Sequence, residues 1–273
     1  MKLRQAPPMD GMRWMLSGVH WAKSQTFTLL GMMGFMLFGL GLLLALPLVG
    51  PLLVGVLLPA LSAGWVAVVE SLKAGRRPTP AVLFSPLAAP ARRSMLGLGV
   101  AHAAAAALML WLADLIDPAM QSAWREAMSA DIGDDARLAA FQALQNGMLL
   151  RMVMTVPVAL VFWHAPVILQ REGGSIARAL FASAVASLRN LGAFVVYGVA
   201  WVVADLMLSL LLGGVLALLG LAAWAMFFAM PVALLFSAAF YGSLHASVHG
   251  CVDFGGPAVP ASEPSTTEPS AGP

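Results

Sequence analysis

The chain has 273 residues, of which 60% are hydrophobic and only 10% charged, and its mean hydropathy is +0.85. A water-soluble domain carries roughly 25% charged residues, so a soluble globule is excluded and a polytopic membrane protein remains. The net charge of +2 comes with a pI near 9.0, but the cations fall in short segments between apolar runs and no nucleic-acid recognition motif accompanies them, so nucleic acid is excluded as a partner.

The sequence predicts an all-α, polytopic transmembrane bundle of about six spans in three hairpins, each span needing ~20 apolar residues. Before the first span, Met9 to Trp14 opens a short helix after Pro7-Pro8. Trp14 and Trp21 share a face, with Arg13 and Lys23 nearby. That pattern suits a helix lying in the headgroup layer or a plain extension of the first span. The first span is expected at Phe27–Leu46, followed by a turn at Pro47 to Pro51. The second is Leu52–Val69, ended by Glu70. The third is Met95–Ile116, closed by Asp117-Pro118. An acidic loop with Asp117, Glu126, Asp131, Asp134 and Asp135 follows, in which Leu138, Phe141, Leu144 and Met148 recur at helical spacing, predicting one or two short amphipathic helices over the outer mouth. The fourth span is Met148–Leu169, the fifth Leu191–Leu212 up to a Gly213-Gly214 break, and the sixth Val215–Tyr241. Residues 1–250 form one membrane domain. Residues 252–273 turn to Gly, Pro, Ser, Thr and Glu and are expected to be a disordered tail.

The run of first-span length has no cleavage site after it, so no cleavable signal peptide is expected. Lys2, Arg4, Arg13 and Lys23 precede span one. Lys73, Arg76, Arg77, Arg92 and Arg93 lie between spans two and three, and Arg171, Arg178 and Arg189 between four and five. Only Arg125 and Arg137 lie opposite. By the positive-inside rule the N-terminus is expected to be cytoplasmic in an inner (plasma) membrane; no Lys or Arg follows Arg189, so the C-terminus is placed on the same side only by the even count of spans. Glycines at 31, 34, 39 and 41, at 97 and 99, and at 192 and 198 mark the odd-numbered spans as close-packing. Pro59, Pro157, Pro166 and Pro231 mark the even-numbered ones.

Candidate chemistry is sparse. Asp114, Arg151 and Asp205 are charged residues within spans, and a short buried carboxylate needs a partner, water or a proton. The expectation is that Arg151 faces Asp205 inside the bundle, with Asp114 a second partner at the rim. His102 and His164 are either polar packing residues or a proton relay. His245, His249, Cys251 and Asp253 follow span six as H-x-x-x-H-x-C-x-D. Histidines four apart share a helix face and can bind one metal. A hydrolytic zinc motif needs Glu after the first His, where this chain has Ala246. No metal is therefore assigned, and His245, His249 and Cys251 are kept as weak candidates. Cys251 is the one cysteine, so no intramolecular disulfide forms. With no P-loop, dinucleotide fingerprint, G-x-S-x-G or CxxC present, no cofactor and no enzymatic activity are expected.

The stretch Phe162-Trp163-His164-Ala165-Pro166-Val167, then Ala179-Leu180-Phe181-Ala182-Ser183, Leu188-Arg189-Asn190 and Ala193 to Gly198, with Pro47-Leu48-Val49-Gly50, Pro59, Gly64 and Gly75 upstream, resembles an uncharacterised family of proteobacterial inner-membrane proteins. The likeness covers most of residues 10–245. It implies a multi-helix inner-membrane fold and lends no activity, substrate or catalytic residue. On the residues themselves, Ala165-Pro166 lets span four bend. Ala179 to Asn190, with apolar Leu180, Phe181, Val185 and Leu188 beside Arg178 and Arg189, reads as an amphipathic surface helix entering span five. The expected function is therefore non-enzymatic: helix packing with lipids of the bilayer, with a membrane-protein partner or with a second copy, in envelope assembly or lipid handling. A small-solute or ion transporter is the alternative, motivated by broken helices and ionisable residues in the spans.

Overall fold

In lipid a backbone must satisfy its own hydrogen bonds, and long apolar runs do so as helices. The computed structural model describes residues 1–88, 90–129 and 133–255. In chain order the elements are β1 (Lys2–Leu3), α1 (Asp10–Ser24), α2 (Thr26–Leu44), α3 (Val49–Lys73), a 3-10 segment (Pro80–Leu87), α4 (Arg92–Ile116), α5 (Met120–Ala127), α6 (Asp134–Phe162), α7 (Ala165–Glu172), α8 (Ile176–Arg189), α9 (Leu191–Leu218), a 3-10 turn (Ala222–Trp224), α10 (Ala225–Cys251) and β2 (Val252–Asp253). Among the described residues, six segments are long and apolar enough to cross a membrane: α2, α3, α4, α6 with α7, α9 and α10. The all-α polytopic class and the six spans are as the sequence predicts.

Several boundaries are corrected. The second span runs through Glu70 to Lys73, and the turn before it ends at Leu48, whose φ of 63° is unusual for a residue with a side chain. The helix expected from Leu138 to Met148 is not separate. It is the first part of α6, one helix of 29 residues whose start packs against α5. Asp131 lies outside the described residues. Gly213-Gly214 does not end the fifth span, because helical glycine is tolerated and α9 continues to Leu218. The reversal comes at Gly220, with φ 68°. The sixth span therefore starts later than Val215 and ends at Cys251, so that His245 and His249 lie within α10 rather than after it.

The packing is not three independent hairpins. The closest neighbours are α1 with α10 and α3 with α4. At the α3–α4 crossing a Cβ on Gly99 would collide with the backbone of Val56, so the two helices meet backbone to backbone. The first helix is set off from the first span by Gln25 alone, with φ −130°. α1 is docked along α9 and α10, with Gly11, Trp14, Gly18 and Ala22 buried. Trp14 is 4% exposed and stacks edge-on against Phe194 and Tyr197. It belongs to the largest buried cluster, which also gathers Met95, Leu98, Ile168, Leu169 and Trp201. The glycines of the first span do not pack closely: Gly31, Gly34, Gly39 and Gly41 meet open space.

α8 is amphipathic, as expected. Its small residues Ala179, Ala182, Ser183, Ala186 and Ser187 face the bundle, while Phe181 and Leu188 are exposed. Small side chains let a helix approach closely, and large apolar ones are content facing lipid. The tail also begins later than 252. Leu3 pairs with Val252 and Lys2 with Asp253 in an antiparallel ribbon, which places residues 2–3 beside the end of α10. The rest of the expected tail, 256–273, lies outside the described residues.

Candidate functional site

At the end of the bundle that holds the ribbon, three helix ends converge. Glu70 sits in the last turn of α3, Arg171 in that of α7, and His245 and His249 in the last two turns of α10. The Arg171 guanidinium is ion-paired with Glu70 Oε1. His249 Nε2 lies 3.7 Å from the same oxygen. The two imidazoles are stacked, 4.2 Å between centroids, as their four-residue spacing allows. Phe254 follows β2 and closes the cluster, its ring edge-on to His249 and 4.9 Å from the Arg171 guanidinium carbon. Ligand atoms of Glu70, His245 and His249 all lie within 4.8 Å of one another. Cys251 is not among them. Two residues beyond His249 on a helix it points ~200° away, and it is fully buried in the main core.

A second polar cluster lies at the far end of α4. Arg151 is ion-paired with Asp114 and lies 3.6 Å from Asp117 Oδ2. It also donates to the carbonyl of Asp117 at 3.3 Å and to that of Gly147 at 3.0 Å. The guanidinium thus caps the C-terminus of α4, where the helix dipole favours a cation. The expected Arg151–Asp205 pair is not formed. Asp205 is on the exposed face of α9, whose main packing partner is α1, whereas α6 packs chiefly on α5, α4 and α8. Asp114, expected at the rim, is the direct partner, and Asp117 joins it.

The bend expected at Ala165-Pro166 lies between α6 and α7, at Trp163-His164. Side chains satisfy what the break frees. The His164 N–H donates to Ser183 Oγ at 3.0 Å, Ser187 Oγ donates to the Leu160 carbonyl at 2.8 Å, and Trp163 Nε1 donates to Ser247 Oγ at 3.0 Å. The His164 ring is fully buried, against Phe194, and neither ring nitrogen has a hydrogen-bond partner among the described residues. His102 is separate: its Nδ1 lies 2.8 Å from the Gly55 carbonyl, and its ring meets Phe162 edge-on. The two histidines are not hydrogen-bonded to each other.

Between the 3-10 segment and α4 lies a groove of about 490 Å³, lined by Ala81, Phe84, Ser85, Leu87, Ala88, Arg92 and Leu96. Arg92 Nε donates to the Leu87 carbonyl at 3.0 Å, and Arg93 beside it is exposed.

No protein-family model matches the chain, and no solved structure matches it. It is similar to a protein of Burkholderia thailandensis named as a probable inner membrane protein, 26% identical over 264 residues, which is 95% of this chain and 97% of that one. This is a multi-pass inner-membrane protein. The relative bears out the resemblance to uncharacterised proteobacterial inner-membrane proteins, and its name carries no activity.

Sequence reasoning missed Glu70 and Arg171 as site residues. In sequence Glu70 marks the stop of a span and Arg171 is one of the topology cations. A signal was present: Glu70 is an acid on the cation-rich side of the chain, where a carboxylate needs a partner.

Proposed function

We propose that this protein is non-enzymatic and works by contact within the inner membrane, binding anionic lipid as part of envelope assembly or lipid handling, with both termini cytoplasmic. The groove at Arg92 supports this reading. Its apolar walls, Phe84, Leu87 and Leu96, suit an acyl chain, and Arg92 at its side offers a phosphate the terminal nitrogens not used on Leu87. Arg76, Arg77 and Arg93, nearby in sequence, add cations at the same membrane face.

The test is native mass spectrometry of the protein extracted from its own membrane. Phosphatidylglycerol or cardiolipin should be retained above its share of the bulk lipid. Arg92→Gln should lower that retention about fivefold, the effect of removing about 1 kcal/mol of attraction per basic residue. Retention in proportion to bulk lipid, unchanged by the substitution, would end this reading.

The alternative, a small-solute or ion transporter, draws on the broken helix at Trp163-His164 and the two ring nitrogens of His164, which have no hydrogen-bond partner among the described residues. It requires solute or proton flux in proteoliposomes that His164→Ala abolishes.

A further inference from the structure

We infer that Glu70, His245 and His249 form a binding site for a divalent transition metal of the zinc class, which ties the end of α3 to the end of α10. The argument starts from one hydrogen bond. His249 Nδ1 lies 2.9 Å from the His245 carbonyl oxygen. A carbonyl only accepts, so Nδ1 carries the hydrogen; this assigns the tautomer from the bonding pattern. In the neutral ring the lone pair is then on Nε2, which faces Glu70 Oε1 at 3.7 Å. The Nε2 lone pair is thus directed toward a carboxylate of which Arg171 holds one oxygen, Oε1, and a cation can be shared between Nε2 and the other oxygen. A backbone carbonyl holding the far nitrogen of a histidine is also the usual support of a metal ligand, since it fixes the ring and raises its basicity.

The donor set agrees. Two imidazoles and one carboxylate are ligands that zinc accepts, with a fourth position left to water. Bonds of about 2.0 Å place tetrahedral ligands about 3.3 Å apart. The ligand atoms here lie within 4.8 Å of one another, so side-chain rotations of Glu70 and the two histidines would draw them in by about 1.5 Å. The Glu70 and His249 side chains are 25% and 35% exposed, so an ion has a path from solvent. Arg171 competes, because it occupies Glu70 Oε1, and Glu70 offers the metal its second oxygen. Cys251 takes no part, and the missing Glu after His245 leaves the site without a hydrolytic base, so its role is to join helices.

The full-length protein, purified in detergent and stripped with chelator, is titrated with ZnCl2 by calorimetry and with CoCl2 by visible absorption. One ion per chain is expected. The cobalt form should show the visible bands of a tetrahedral nitrogen and oxygen site without a thiolate charge-transfer band. His249→Ala and Glu70→Gln should each weaken binding by more than about tenfold. Cys251→Ser should leave it unchanged, and Arg171→Gln should tighten it by removing the competing cation. The wild-type titration and the Arg171 variant decide the matter even if a ligand variant folds poorly. No stoichiometric ion in the wild type, loss of binding in Cys251→Ser, or Arg171→Gln weakening the site as a ligand change would, each overturns the proposal.

Discussion

Replacing Gly18 with alanine should destabilise the protein, although the same change at Gly31 should not. A Cβ on Gly18 would stand 2.7 Å from the Ser243 Cβ and closer still to the Ala239 carbonyl oxygen. Ordinary carbon contacts lie near 3.5–4.0 Å, so α1 and α10 would have to part by about 1 Å. The obstacle is backbone and cannot swing aside. Ser243 also takes part in the hydrogen bond with the Tyr197 hydroxyl at 2.5 Å and donates to the Phe240 carbonyl at 2.6 Å, so its displacement strains the α9–α10 contact as well. Overpacking of this kind costs about 1–3 kcal/mol. At Gly31 nothing lies within 4 Å, and alanine gains about 0.5–1 kcal/mol of helix propensity. The propensity gain applies at both helical positions and cancels, so reversible unfolding in mixed micelles should separate the two variants by about 1–3 kcal/mol. A helix lying free on headgroups would gain from alanine at both positions. If Gly18→Ala is as stable as Gly31→Ala, the docking of α1 against α10 is wrong.

Three further outcomes are expected. In a double-mutant cycle on unfolding free energy, Arg151→Gln should couple to Asp114→Asn by about 0.5 kcal/mol or more and to Asp205→Asn by nothing measurable; the reverse pattern would restore the discarded pair. Ser183→Ala removes the acceptor of a buried backbone N–H at the break before α7 and should cost about 1–3 kcal/mol, read in the same unfolding assay; no loss would show that the break does not depend on Ser183. Reporter fusions after residues 88, 174 and 255 should all report the cytoplasm and a fusion after 129 the periplasm. Opposite readings at 88 and 255 would contradict an even number of crossings.

The sequence by itself determined the solvent, the fold class, the number of spans and their approximate places. These follow from local quantities: apolar run length against bilayer thickness, and turn residues such as Pro47 and Asp117-Pro118. It also marked the bend near Ala165-Pro166, because a proline ring acts on its own helix. What it left open depends on residues far apart in the chain. Gly18 is a close-packing residue and Gly31 is not, a difference that lies in α10 and not in either glycine. α8 turns its alanines and serines inward and leaves Phe181 and Leu188 exposed, since in lipid the large apolar side chains have no reason to seek the core. Arg151 found Asp114 and Asp117 rather than Asp205 because α6 packs on α4. His245 and His249 were legible from their four-residue spacing. Glu70, about 175 residues away in the chain, joins them only because α3 and α10 end side by side, and that proximity was decided by tertiary packing.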